Sequence, residues 1–245
     1  MKKLDFLLLF LFSGAAALLR ARELRTGFDR AGLPVGGAAS LALPLVLTAA
    51  AAVFLLLARA YGAQRGADGG TDGYFDFSGT LPVTLCVLGA FTLIAGAVLT
   101  LVSPLRTLSV ILLAVFRFAA GAAVIYALFA LRRGGTLPRA ALLTPVYALV
   151  VQLVFTYRAT AVDPVLSHFY VEILALAALA AAFLEFSAFA FRSGAPRVFL
   201  PLADMAVVLC VCTAVGAQEL PTLLLYSGFA LVLFGYCAAV NAPER

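Results

Sequence analysis

The chain has 245 residues, 64% of them hydrophobic, with a mean hydropathy of +1.09 and only 12% Asp, Glu, Lys or Arg. That is about half the charge of a soluble domain, too little to clothe a water-facing surface. The net charge of +5 is no nucleic-acid signal, because the basic residues flank apolar runs, the pattern that sets membrane topology.

Apolar stretches of roughly 16 to 28 residues repeat along the chain, and a helix needs about 20 to cross a hydrocarbon core. The alternating pattern of a membrane β-barrel is absent. The fold class is therefore all-α, a polytopic transmembrane helix bundle of eight spans in one domain, or seven if the first is a cleaved signal. The spans read as Leu4–Arg20, Ala38–Ala60, Thr80–Ser103, Leu105–Leu131, Pro138–Arg158, Pro164–Phe191, Arg197–Ala217 and Leu220–Val240.

The first span, MKKLDFLLLFLFSGAAALL, has the basic start and small-residue end of a secretory signal. Its apolar run is only about 24 Å long. Arg20 can snorkel and let the helix continue toward Arg25, and a retained helix is the favoured reading. Prolines mark the later starts: Pro44, Pro82, Pro104, Pro138, Pro164, Pro201 and Pro221 lie at or near the head of an apolar run, where a missing amide hydrogen costs nothing. Pro145, seven residues into the fifth span, predicts a kink.

Two connections are longer, residues 21–37 and 61–79. In the second, Asp68, Asp72 and Asp76 lack the spacing of a calcium loop, and Tyr74, Phe75 and Phe77 are expected to rest at the membrane interface. The chain stops soon after its last span, so no attached soluble module is expected. The N-terminal side carries Lys2, Lys3, Arg59, Arg65, Arg132, Arg133, Arg139, Arg192, Arg197 and Arg245. The other side carries Arg20, Arg22, Arg25, Arg30, Arg106 and Arg158. The excess places both termini in the cytoplasm of a cell-membrane protein, with the arginines after the first span opposing it.

Small residues predict the packing faces. Gly89 and Gly96 are seven apart, as are Gly228 and Gly235, and ALAALAAA (residues 175–182) narrows the sixth span, making it the choice for the bundle interior. Cys86, Cys210, Cys212 and Cys237 fall inside spans as small apolar packing residues. Arg outnumbers Lys 15 to 2, the bias of a GC-rich bacterial gene.

Ionisable groups cost about 2.5 to 3.5 kcal/mol each on insertion scales, which makes them the first place to look for function. Arg117, Glu172, Glu185 and Asp204 form the candidate intramembrane polar site. Depths along the helices predict an Arg117–Glu172 ion pair, either orienting a substrate in a transport path or holding two helices in register. Glu185 and Asp204 fall at matching depth on consecutive helices. They could share a proton, or sit hydrated near the headgroups beside Arg192 and Arg197. Tyr157, Arg158, Asp163 and His168 suggest an interfacial network tying the fifth span to the sixth. His168 and Glu172 share a helix face, but a single histidine argues against a metal. No cofactor motif, hydrolase elbow or P-loop appears. The expected partners are the bilayer and other membrane subunits or further copies of the chain.

The segment VFTYRATAVDPVLSHFYVEILALAALAAAFLEFSAFAF, residues 154–191, resembles multi-pass proteins of anaerobic Gram-positive bacteria through Tyr157, Arg158, Asp163, Pro164 and Glu172. The resemblance covers the second half of the chain and implies no function; where that pattern would carry Tyr, this chain has Glu185. Three readings remain: a small-solute or proton-linked transporter, a structural or accessory membrane subunit, and a membrane-embedded enzyme. All rest on hydrocarbon as the solvent. The purified chain should therefore need detergent to stay dispersed, and a stable monomer in plain buffer on size-exclusion chromatography contradicts the reading.

Overall fold

The computed structural model describes residues 2–27, 38–62, 74–102, 107–133, 139–160, 170–191 and 193–240. They form α1 (Lys2–Thr26), α2 (Ala38–Gly62), α3 (Thr80–Val102), α4 (Leu108–Arg132), α5 (Arg139–Thr160), α6 (Tyr170–Ala188), α7 (Pro196–Gly216) and α8 (Leu220–Ala239). A 3-10 turn, Phe189–Phe191, lengthens α6. All eight helices are long and apolar enough to cross a membrane. The protein is a polytopic helix bundle, and the only sheet-like feature among the described residues is an isolated bridge between Phe75 and Val240.

Helix starts differ from the proline pattern in two places. α2 begins six residues before Pro44 and α7 five residues before Pro201, so both prolines sit inside helices. α7 instead uses Pro196 at its first position, where the lost amide costs nothing. Pro104, Pro138 and Pro164 lie outside the described residues. α1 runs on past Arg20 to Thr26, and α5 is helical throughout around Pro145.

Helices α3 to α8 each pack against the next, and α8 returns to α3, which closes a six-membered ring. α1 and α2 pack on each other and both lie against α7. α7 thus has four partners. Some 67% of its apolar stretch is buried, against 44% for α6. The sixth helix is therefore not the centre; its small residues seat it in the ring, while α7 joins the ring to the α1–α2 pair.

The α3–α8 contact that closes the ring is the most extensive between helices among the described residues. Pro82, Cys86, Gly89, Leu93 and Gly96 form one buried stripe at helical spacing, facing Gly228, Val232 and Gly235. A Cβ on Gly89 would come within 2.6 Å of the Gly228 carbonyl oxygen and 2.9 Å of the Val232 nitrogen. Only glycine lets these backbones touch, and in lipid, where no water is expelled, such close contact supplies the association energy. Cysteines join the helix contacts: Cys86 Sγ lies 3.8 Å from the Val232 oxygen across α3 and α8, and Cys212 Sγ 3.8 Å from the Ala16 oxygen across α7 and α1.

At the membrane face where α1 begins, aromatic rings fill the bundle. Phe75 meets Phe186, Phe189 and Phe199 edge-on, with centroids 5.1, 5.1 and 5.7 Å away. Tyr236 stacks on Phe186 at 3.9 Å. The Asp76 amide donates to the Ala239 oxygen at 2.6 Å, clamping this segment to the end of α8. Tyr74, Phe75 and Phe77 are thus buried and do not rest at the interface, because neighbouring rings offer them more contact than headgroups would.

Gly89→Val should lower stability by about 2 kcal/mol or more, because backbone atoms cannot yield to the new methyl groups. Gly14→Ala, where nothing lies within 4 Å of a new Cβ, should cost nothing and raise stability by up to about 1 kcal/mol through helix propensity. Thermal unfolding in detergent measures both.

Candidate functional site

Arg117, Glu172 and their partners lie in the half of the membrane away from the aromatic layer, toward the distal face where α1, α3, α5 and α7 end, while Glu185 and Asp204 lie toward the aromatic side. α4 carries Arg117 on its inward stripe with Ala114, Ala120, Gly121 and Val124, and the residue is only 7% exposed. α5 presents Gln152 on its own buried stripe with Pro145, Ala148 and Leu149. Arg117 Nη2 and Nε donate to Gln152 Oε1 at 2.9 and 3.3 Å, and Nη1 donates to Thr100 Oγ1 on α3 at 3.0 Å. Gln152 Nε2 continues the network to Thr156 Oγ1 at 3.3 Å, and the Thr100 hydroxyl donates to the Gly96 oxygen at 2.8 Å. One guanidinium therefore ties three helices together. Its partners are all neutral, so among the described residues no contacting carboxylate cancels its charge.

Glu172 is held otherwise. It lies in the first described turn of α6, and its Oε1 accepts a 2.8 Å hydrogen bond from the hydroxyl of Tyr226, a fully buried residue of α8. The predicted Arg117–Glu172 ion pair does not form. Arg117 is roughly 14 Å along α4 from Leu108. As its side chain bends back toward the distal face, Thr100 and Gln152 meet it before Glu172 can. The two charges still share a field, because Glu172 and Glu219 lie near enough to act electrostatically on Arg117.

Above Glu172 a cavity of about 350 Å³ opens at the distal face. Arg20 and Leu24 of α1, Val171 and Glu172 of α6, Thr213 and Gly216 of α7, the turn Ala217–Glu219 and Thr222 of α8 line it. Arg20 does not snorkel as the sequence suggested. It is 5% exposed, pairs with Glu23 one turn on at 2.6 Å, and lies over the Tyr170 ring at 5.8 Å from its centroid. Gly216 admits this arrangement, since a Cβ there would come 3.3 Å from the Leu24 side chain.

Glu185 and Asp204 are not brought together. Glu185 is half-buried on α6, whereas Asp204 is buried on α7, where it faces the Cys237 thiol of α8 and feels Asp5 of α1. Matching depth put them level, but the rotation of α7 turns Asp204 toward α8 and α1. Tyr157 and Arg158 are exposed at the end of α5, and their proposed partners Asp163 and His168 lie outside the described residues, as do Asp68 and Asp72. Among the described residues, no three His, Cys, Asp or Glu side chains converge on a metal position.

Sequence reasoning missed Gln152, Thr100 and Tyr226, the direct partners of the two central charges. Gln152 carried a usable signal, as an amide in the middle of the apolar run of α5 with Thr156 one turn on. Tyr226 carried none, because a tyrosine in a membrane span reads as apolar filling. No protein-family model, curated protein or solved structure matches this chain.

Gln152→Leu leaves the guanidinium short of its main acceptor and should cost about 2 to 4 kcal/mol of stability. Arg117→Leu with Gln152→Leu should recover part of that loss. The double-mutant cycle, read from unfolding in detergent, should give a coupling of about 1 to 3 kcal/mol. Additive losses would show that the contact holds nothing together.

Proposed function

We propose that the protein is a carrier of a small polar solute in the cell membrane, with both termini cytoplasmic and the cavity open to the outside. One observation carries this reading: a cavity at the distal face ends on Glu172, with the Arg117 network in the same half of the bundle. The cavity reaches in from the distal face as far as Glu172. The Glu172–Tyr226 bond forms its floor, and the Arg117–Gln152–Thr100 network lies in the same half of the bundle. Toward the other face, Phe183, Phe186 and Phe229 lead into the stacked aromatic layer. A bundle that is polar and open on one side and sealed by side chains on the other is what one state of an alternating-access cycle requires. Partly charged groups are costly in lipid, and a cluster of them around a cavity is better accounted for by a solute than by packing alone.

The geometry also changes what a coupling group would be. Glu185 and Asp204 are apart, so Glu172 takes the place that matching depth assigns to that pair. It is the carboxylate that meets both the cavity and a buried hydrogen-bond donor, and breaking its bond to Tyr226 would open the floor.

A second reading, a non-catalytic subunit of a larger membrane complex, is favoured by an apolar groove of about 270 Å³ along α7 and α8, lined by Cys210, Val211, Ala214, Val215, Leu223, Ser227 and Ala230. The two readings separate in one experiment. Proteoliposomes containing the wild-type chain alone should accumulate a solute from a panel of labelled amines, amino acids, sugars and organic acids. Glu172→Gln and Tyr226→Phe should reduce uptake by about tenfold or more while each keeps the wild-type elution volume. A wild type that moves nothing in the panel, yet co-purifies with a stoichiometric membrane partner, favours the second reading.

A further inference from the structure

The charges around the cavity determine the class of solute it can hold. Two helices, α6 and α8, begin at the cavity and two, α1 and α7, end there. Their partial positive and negative ends offset one another, so the field is left to the side chains. Arg20 is committed to Glu23 at 2.6 Å, and that pair is neutral as a unit. Glu172 gives one oxygen to Tyr226, and its other oxygen has no hydrogen-bond donor among the described residues. Glu219 stands at the N-cap of α8 yet makes no side-chain bond to the helix amides; it is exposed and lines the cavity. Arg117 lies beyond the lining and is engaged by neutral oxygens. Among the described lining residues, Arg20 stands against Glu172 and Glu219, which leaves one negative charge in excess. Thr213, Gln218 and Thr222 supply neutral hydrogen-bonding groups, and Leu24, Val171 and Ala217 supply an apolar wall.

We infer that the cavity is a binding site for a small monovalent organic cation, whose ammonium group sits between Glu172 and Glu219 while its carbon body lies on the Leu24–Val171 wall. This deepens the carrier reading, and rests on it only for the passage of the bound cation across the membrane. A monocation brings the cluster to neutrality, which an anion or a second carboxylate could not do. The tyrosine bond keeps one Glu172 oxygen fixed, so the other is presented in a constant direction, as selective binding of a point charge needs. The volume of about 350 Å³ suits a molecule the size of choline and leaves room for water around it.

The experiment uses the full chain in detergent or nanodiscs, with choline, its uncharged carbon isostere and acetate as probes, followed by calorimetry. Choline should bind saturably, the isostere at least about tenfold more weakly, and acetate not at all. Glu172→Gln should weaken choline binding by about tenfold or more, and Glu219→Gln by less, because its carboxylate is exposed to solvent. Elution volume and thermal transition report whether each variant is folded. If Glu172→Gln does not fold, the comparison of choline with its isostere on the wild type decides alone. Equal binding of the isostere, binding of acetate in place of choline, or no binding of choline overturns the inference. Choline binding without uptake in vesicles leaves the cation site standing and removes the carrier reading. Uptake of an anion without choline binding does the reverse.

Discussion

The contact between α3 and α8 at Gly89 and Gly228 is the constraint from which the architecture follows. Lipid gives helices no hydrophobic reason to leave it for one another, so the ring must be closed by backbones that come near enough for dispersion to accumulate. Glycine at both positions permits that approach, and any side chain would meet a carbonyl oxygen or an amide nitrogen. Once α8 is seated on α3, Tyr226 is carried to the first turn of α6, and Thr100 stands level with the guanidinium of α4. The polar cluster is thus a consequence of a closed ring of apolar helices.

Inside the ring the chain separates its chemistry by depth. The distal half holds Arg117, Gln152, Thr100, Glu172 and Tyr226, each with a hydrogen-bonded partner that hydrocarbon could not supply. The other half holds rings packed edge-to-face and stacked, with no need of water. Asp204 is a buried carboxylate in this half, and it faces the Cys237 thiol. The asymmetry gives the proposed transport path a direction, and the clamp between Asp76 and Ala239 places the 74–79 segment where the aromatic layer meets the end of α8.

Arg117 shows how such a group is tolerated. A carboxylate in contact would cancel its charge but would bring a second desolvated ion. An amide and a hydroxyl satisfy its donors at lower desolvation cost and leave its field to act on Glu172 and Glu219. The arrangement stabilises the cation and keeps it available to influence the cavity.

Hydropathy alone specified the class, the eight spans and the glycine faces, because each depends on how many apolar or small residues succeed one another along a helix. Arg117 and Glu172 could be picked out in the same way, since a charge within an apolar run is costly wherever it points. Which groups those charges meet was decided only by the tertiary structure. A rotation of 100° per residue separates Asp204 from Glu185 although their depths agree, and it brings Gln152, an amide inside an apolar run, to the guanidinium. The centrality of α7, the burial of Phe75 and Phe77, and the cavity at the ends of α1 and α7 likewise arise from which helix lies beside which. Neighbour choice depends on packing across the whole ring, and a linear pattern of hydrophobicity contains no measure of it.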